Sequence, residues 1–222
     1  MSQPTPDIQL VVFDLGRVLL RIADSFDHAC ERAGVPHIPG MQGDLSIHAR
    51  RASDPDAAKL FDDYETGRVS TPDYLNHASH ITGTPHDTLL AVLDAVLIEP
   101  FPGVPDLLDQ LAARPVKTAC LSNTNARHEA LFTDPNHSAY TPVHRLDFPL
   151  YSHTIHHAKP HPDAYATVEN TTQTDPHHIL FFDDLDANTA AANERGWHTV
   201  LVPRCDNPIP LITEQLQAYR VL

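Results

Sequence analysis

Short apolar runs alternate with helical stripes over the outer parts of the chain. Leu10-Val11-Val12-Phe13 ends at Asp14, and Val116 to Leu121 ends at Ser122-Asn123. Ile179 to Phe182 ends at Asp183-Asp184, and Thr199 to Val202 ends at Pro203. Runs that are apolar at every position and rich in Val, Ile and Phe suit parallel strands covered on both faces. Between the first two, Val104, Leu107, Leu108 and Leu111 recur at helical spacing, with Pro105 in the first turn and Pro115 beyond the end. Strand and helix patterns in alternation predict an open parallel α/β sheet.

Residues 20–98 carry helix signals without a strand pattern. Phe26, Ala29, Cys30 and Ala33 share one face, and Gly34 closes that segment; Leu60, Phe61 and Tyr64 share another, closed by Gly67. Thr71-Pro72 and Thr84-Pro85 each read as an N-cap followed by a first-turn proline. Leu89, Val92, Leu93, Val96 and Leu97 form an apolar stripe that stops before Pro100. The expectation is an all-helical module inserted after the first strand; the alternative is a single longer domain with extra helices.

Composition narrows the partners. The 222 residues hold 15 Lys plus Arg against 29 Asp plus Glu, a formal net charge of −14. Such a balance repels nucleic acid and anionic lipid, but a small anionic ligand needs only a local positive site or a metal ion. The apolar runs fall far short of the ~20 residues a membrane-spanning helix requires. The start of the chain shows neither the basic nor the apolar region of a signal peptide. Cys30, Cys120 and Cys205 are widely spaced and odd in number, which argues for reduced thiols. A cytoplasmic protein without nucleic-acid or membrane partners is expected; the oligomeric state is not written in the sequence.

The chemistry gathers at strand ends, where open α/β sheets place their sites. Those ends carry Asp14, Ser122-Asn123 and Asp183-Asp184. Carboxylates converging from separate strands repel one another unless a divalent cation lies between them, and hard oxygen ligands without a cysteine cluster favour Mg²⁺. Taken singly, each residue has a plainer reading: Ser122 and Asn123 as caps of a helix starting near Asn125, Lys159 as a solvated loop residue.

The stretch Val11-Val12-Phe13-Asp14-Leu15-Gly16-Arg17-Val18-Leu19 resembles the first motif of the haloacid dehalogenase superfamily. Cys120-Leu121-Ser122-Asn123-Thr124-Asn125 looks like its second motif, and Lys159-Pro160-His161-Pro162-Asp163-Ala164-Tyr165 like its lysine motif. Ile179 through Asp183-Asp184 to Asn188 looks like the acidic motif, and Gly196 with the strand after it also fits. The resemblance covers nearly all of the chain outside the insert and is nearest to small phosphatases of the sugar-phosphate and epoxide-hydrolase N-terminal type. It implies a Rossmann-like core over residues 1–19 and 99–222 and a helical cap over residues 20–98. It implies further that Asp14 attacks phosphorus to give an aspartyl-phosphate. Mg²⁺ would be held by Asp14, the Gly16 carbonyl and Asp184, with Asp183 supporting it directly or through water. Ser122, the Asn123 backbone and Lys159 would bind phosphoryl oxygens, and Asn188 would orient its neighbours. The expected substrate is a small phosphorylated metabolite.

Two positions depart from the pattern. Phosphatases of this superfamily usually carry a second Asp two residues after the nucleophile, as general acid and base; here that position is Gly16, which has no proton to give. Either the leaving group departs unaided, or the cap supplies an acid (Asp24, Asp27 and His28 stand nearest), or the chain binds phosphorylated ligands without turnover. Arg17 either binds a second anionic group or bridges core and cap through a salt bridge. Dehalogenation is disfavoured, because attack on carbon without a metal gains nothing from Asp183-Asp184 beside Asp14. The 16 histidines include His153, His156, His157 and His161 around Lys159, read as surface loop residues.

Overall fold

The computed structural model describes residues 6–38 and 55–222. Five strands form one parallel sheet: β1 (Leu10–Phe13), β4 (Lys117–Ser122), β5 (Phe148–Tyr151), β6 (Ile179–Asp183) and β7 (His198–Leu201), in the order β5-β4-β1-β6-β7. From β1 the chain builds outward through β4 and β5, then returns to the other side of β1 for β6 and β7. The crevice at this reversal lies at the carboxyl end of β1, flanked by β4 and β6.

The all-apolar strands follow from burial on both faces. Val11 and Phe13 join one core layer with Leu180 and Phe182, while Leu10 and Val12 join the opposite layer with Ile179 and Phe181. Phe13 stacks on Phe182 across the strands at 5.4 Å. On the other face Tyr165, Phe181 and Trp197 pack edge-to-face, Tyr165 coming from α8 (Pro162–Thr172). The helices α5 (Val104–Ala112), α6 (Ala126–Thr133), α9 (Asp186–Glu194) and α10 (Ile209–Ala218), with a one-turn α7 (Ser152–Ile155), complete the core.

The insert holds α1 (Phe26–Ala33), α2 (Pro55–Glu65), α3 (Thr71–Thr82) and α4 (His86–Ala95). Gly34 ends α1 in the left-handed conformation, as the sequence predicts, and Ser25 caps its start. The cap of α3 is Ser70 rather than Thr71, and α4 starts at Pro85 without a side-chain cap. Tyr64 stacks on Tyr74 at 4.3 Å between α2 and α3. Residues 39–54 of the insert lie outside the described residues.

The expectation of an all-helical insert needs one correction. β2 (Leu20–Ile22) and β3 (Leu97–Pro100) pair antiparallel where the chain leaves and re-enters the core, with Arg21 opposite Glu99. The 98/99 boundary therefore falls inside a strand. Three- and four-residue strands are too short for a period of two to register, and Leu97 completes a helical stripe by accident of spacing. A second omission is β5, whose Phe-Pro-Leu-Tyr sequence suits only a sheet edge, since Pro149 donates no ladder hydrogen bond.

Candidate active site

In-register pairing sets the geometry. Phe13 lies opposite Cys120 on one side and Phe182 on the other, so the residues that follow emerge together at the sheet's carboxyl edge. Asp14 N–H still donates to the Phe182 carbonyl at 2.8 Å, which fixes where its side chain begins. Beyond it the chain turns sharply: the Leu15 carbonyl accepts from the N–H groups of Val18, Leu19 and Leu20, and Arg17 takes a left-handed φ of 61°.

Lys159 is the centre of the charge arrangement. Its Nζ lies 2.9 Å from Asp14 Oδ1 and 2.6 Å from Asp183 Oδ2, and only 2% of the residue is exposed. The solvated-loop reading of Lys159 is therefore excluded. Asn123 explains how a loop holds it. Its Nδ2 donates to the Lys159 carbonyl and its Oδ1 accepts from the Lys159 N–H, both at 2.8 Å. The Asn123 side chain thus grips the lysine backbone and does not cap a helix; the N-cap of α6 is Asn125, whose Oδ1 accepts from His128 N–H. Ser122 is buried at the end of β4, on the same rim.

Asp183 is fully buried and fully engaged. Its Oδ1 accepts from Leu185 N–H and Asn188 Nδ2, and its Oδ2 from Lys159 and the same amide. Asn188 is positioned by α9, with its own carbonyl accepting from Tyr165 Oη. Asp184 is less committed: among the described residues its Oδ2 is buried without a hydrogen bond, with Arg17 Nη1 at 3.5 Å. Arg17 also donates to the carbonyls of Ala23 and Asp24, so it spans the core carboxylate and the segment that enters the cap.

Burial and crowding shift the titrations. Asp14 is pushed up to about 7, first by desolvation and then by Asp183 and Asp184, with Lys159 opposing. Asp184 is also raised, by desolvation and then Asp183. Desolvation lowers Lys159, but Asp14 and Asp183 outweigh it and hold the ammonium charged. One oxygen each from Asp14, Asp183 and Asp184 lies within 4.8 Å of the others, a spacing one cation can bridge.

Above these groups is a cavity of about 130 Å³, polar at the Asp14 end and walled by cap side chains such as Ile22, Phe26, Phe61 and Val96. Glu65 and His128 also line it, and the sequence gave no signal for either. Asp24 and His28, nearest in sequence to the site, line a separate cavity with Arg204, and Asp27 lines neither. The histidines around Lys159 divide. His157, half-buried, and His161, exposed, stack their rings 5.5 Å apart. His153, expected at the surface, is instead mostly buried and bonded to Glu129, and His156 bonds the Thr66 carbonyl, because the cap docks on this segment.

Residues 8–196 match the family described as haloacid dehalogenase-like hydrolase. The chain belongs to that family. A predicted HAD-like hydrolase from Porphyromonas gingivalis shares 27% identity and a TM-score of 0.75, over 95% of this chain and 98% of that one. The HAD family enzyme bt-2542 from Bacteroides thetaiotaomicron, in complex with magnesium and inorganic phosphate, is 20% identical with a TM-score of 0.67, covering 87% and 93%. L-2-haloacid dehalogenase from Xanthobacter autotrophicus, with chloropropionic acid covalently bound, is 22% identical with a TM-score of 0.57, covering 97% and 84%. No curated protein matches the sequence. This HAD-like hydrolase therefore shares its fold with a phosphate-binding enzyme and with a dehalogenase, and the choice between those chemistries rests on its own side chains. Among the described residues no helix is long and apolar enough to cross a membrane.

Proposed function

We propose that this HAD-like hydrolase is a Mg²⁺-dependent phosphatase that transfers the phosphoryl group of a small phosphomonoester to Asp14 and then to water. The observation that carries the reading is the carboxylate trio Asp14, Asp183 and Asp184, with Asp184 Oδ2 buried and without a hydrogen bond. Attack on carbon needs no cation, so the uncommitted buried oxygen of Asp184 beside the nucleophile favours phosphoryl transfer over dehalogenation. The bt-2542 complex with magnesium and phosphate is consistent with the same use of the fold.

The residues fit the ion. Asp14, the Gly16 carbonyl and Asp184 would hold it, while Asp183, already saturated by Lys159, Asn188 and Leu185, supports the arrangement from behind. Bound there, Mg²⁺ supplies the positive charge that lets a phosphate approach a carboxylate. Lys159 holds Asp14 in place and adds charge for phosphoryl oxygens, and Ser122 with the Asn123 N–H offers donors on the same rim. Asp14 then forms the P–O bond, and hydrolysis of the acyl phosphate restores it.

Phosphate release from an aryl phosphate, with and without EDTA and in Asp14→Asn, tests this. Both treatments are expected to remove activity by at least a thousandfold; activity indifferent to both overturns the proposal. A second reading, a phospho-ligand binder without turnover, is favoured by Gly16. It predicts Mg²⁺-dependent binding with no phosphate release.

A further inference from the structure

We propose that the site takes the phosphomonoester of a small apolar hydroxyl compound acidic enough to leave as its anion, a phenol-type ester. This rests on the phosphatase reading and names its substrate class. Two independent observations converge on it.

The first is what fills the space beside the nucleophile. A Cβ on Gly16 would come within 3.2 Å of Ile22 Cδ1, so an acidic side chain at position 16 would press on an apolar side chain from β2, which would have to give by a few tenths of an ångström. Among the described residues, the other proton carriers at the cavity, Glu65 apart, are poorly placed to replace it. Asp14 and Asp184 are committed to the phosphoryl end, and Lys159 is locked between carboxylates. His128 has both ring nitrogens engaged, by the Leu93 carbonyl at 2.8 Å and the Asn125 amide at 3.3 Å. Glu65 is the remaining carboxylate on the lining.

The second observation is the wall itself. Away from the charged end the cavity is lined by Ile22, Phe26, Phe61, Leu93, Val96 and Phe132. Against these side chains the hydroxyl groups of a sugar would lose their hydrogen bonds to water, with Glu65, Thr124 and His128 the polar groups of the lining outside the charged end among the described residues. The phosphoryl group shares the cavity of about 130 Å³ with the leaving group, which favours a small leaving group. An aliphatic alcohol of that size leaves poorly without a proton, whereas a phenol has a pKa near ~10, as in tyrosine.

The step balances without a general acid. An Asp14 carboxylate oxygen forms its bond to phosphorus as the bond from phosphorus to the ester oxygen breaks. The electron pair of the broken bond leaves on the phenolate, which takes a proton from solvent after release. Water then attacks phosphorus as the bond from phosphorus to the Asp14 oxygen breaks, giving hydrogen phosphate, which keeps one proton of the water, and the Asp14 carboxylate, while the other proton passes to bulk water.

The test uses the full chain with saturating Mg²⁺. Phosphate release is measured from phenyl phosphate, a series of ring-substituted phenyl phosphates, cyclohexyl phosphate and ribose 5-phosphate. Binding of phenylphosphonate and methylphosphonate to Asp14→Asn is measured by calorimetry. Expected are a kcat/KM for phenyl phosphate about a hundredfold or more above that for ribose 5-phosphate, a rate that climbs steeply as the phenol becomes more acidic, and tighter binding of phenylphosphonate than methylphosphonate. Ile22→Thr should narrow the phenyl preference. A preference for ribose 5-phosphate overturns the inference and leaves the phosphatase reading standing. A shallow leaving-group dependence that steepens in Glu65→Gln also overturns it, by showing that the cap delivers an acid. If no ester is hydrolysed the phosphatase reading fails, and the phosphonate comparison decides the apolar subsite alone: a preference for the phenyl compound supports it and equal binding overturns it.

Discussion

Lys159 is a buried cation whose charge is matched by Asp14 and Asp183 at hydrogen-bond distance. Removing one partner of such a set leaves uncompensated charge in a dry place, which costs about 3–5 kcal/mol. Lys159→Met should therefore lower stability by that order in denaturant unfolding, and adding Asp14→Asn should return part of it because one stranded carboxylate disappears. Strict additivity of the two changes would show that the residues are not energetically coupled. Gly16 makes a second test. Gly16→Asp supplies the missing acid but requires Ile22 to give by a few tenths of an ångström. The single change should reduce phosphate release, and Gly16→Asp with Ile22→Ala should recover more than the single variant. A rate gain from Gly16→Asp alone would mean the pocket yields easily and lacks only the proton donor. The sequence showed the missing acid at once; it could not show which side chain stands in its place.

Elements matter here through how they join cap to core. Asn125 caps α6 and also accepts from Tyr64 Oη on α2 at 3.1 Å, so one amide serves a local and a long-range purpose. Ser152, opening α7, has its one hydroxyl proton within reach of the Glu65 and Thr124 carbonyls, at 2.6 and 2.9 Å, and accepts from Thr124 N–H. Tyr64→Phe should cost about 1 kcal/mol, the usual net worth of one hydrogen bond, whereas Asn125→Ala should cost about 2–3 kcal/mol because it removes the cap as well. Equal midpoint shifts for the two variants in denaturant melts would deny Asn125 its double role. The glycine stops were readable because a left-handed C-cap is local chemistry, whereas the two N-caps named from the sequence each lie one residue from the observed cap. The β2–β3 ribbon and edge strand β5 were not readable, because short strands exist only by virtue of the partner they meet.

At the scale of the whole molecule, the −14 charge bears on encounter rather than on chemistry. A phosphate dianion approaches an acidic surface through a field that reaches about 30 Å at 10 mM salt and about 8 Å at 150 mM. With Mg²⁺ saturating, kcat/KM should rise several-fold over that range while kcat stays constant; a fall would mean that the local cations around Arg17 and Lys159 govern encounter instead. The sequence by itself determined the parallel sheet and the residues at its carboxyl edge. A strand buried on both faces must be apolar throughout, and the first polar residue after it marks the rim. Only the tertiary structure decided which of those residues are free to act. Asn123 became the grip on Lys159, 36 residues away, and Asp183 was spent on holding the lysine. Ile22 closed the space beside Gly16. Those assignments depend on distances between segments that no local pattern encodes, since a side chain's role is fixed by what the fold places within 3 to 4 Å of it.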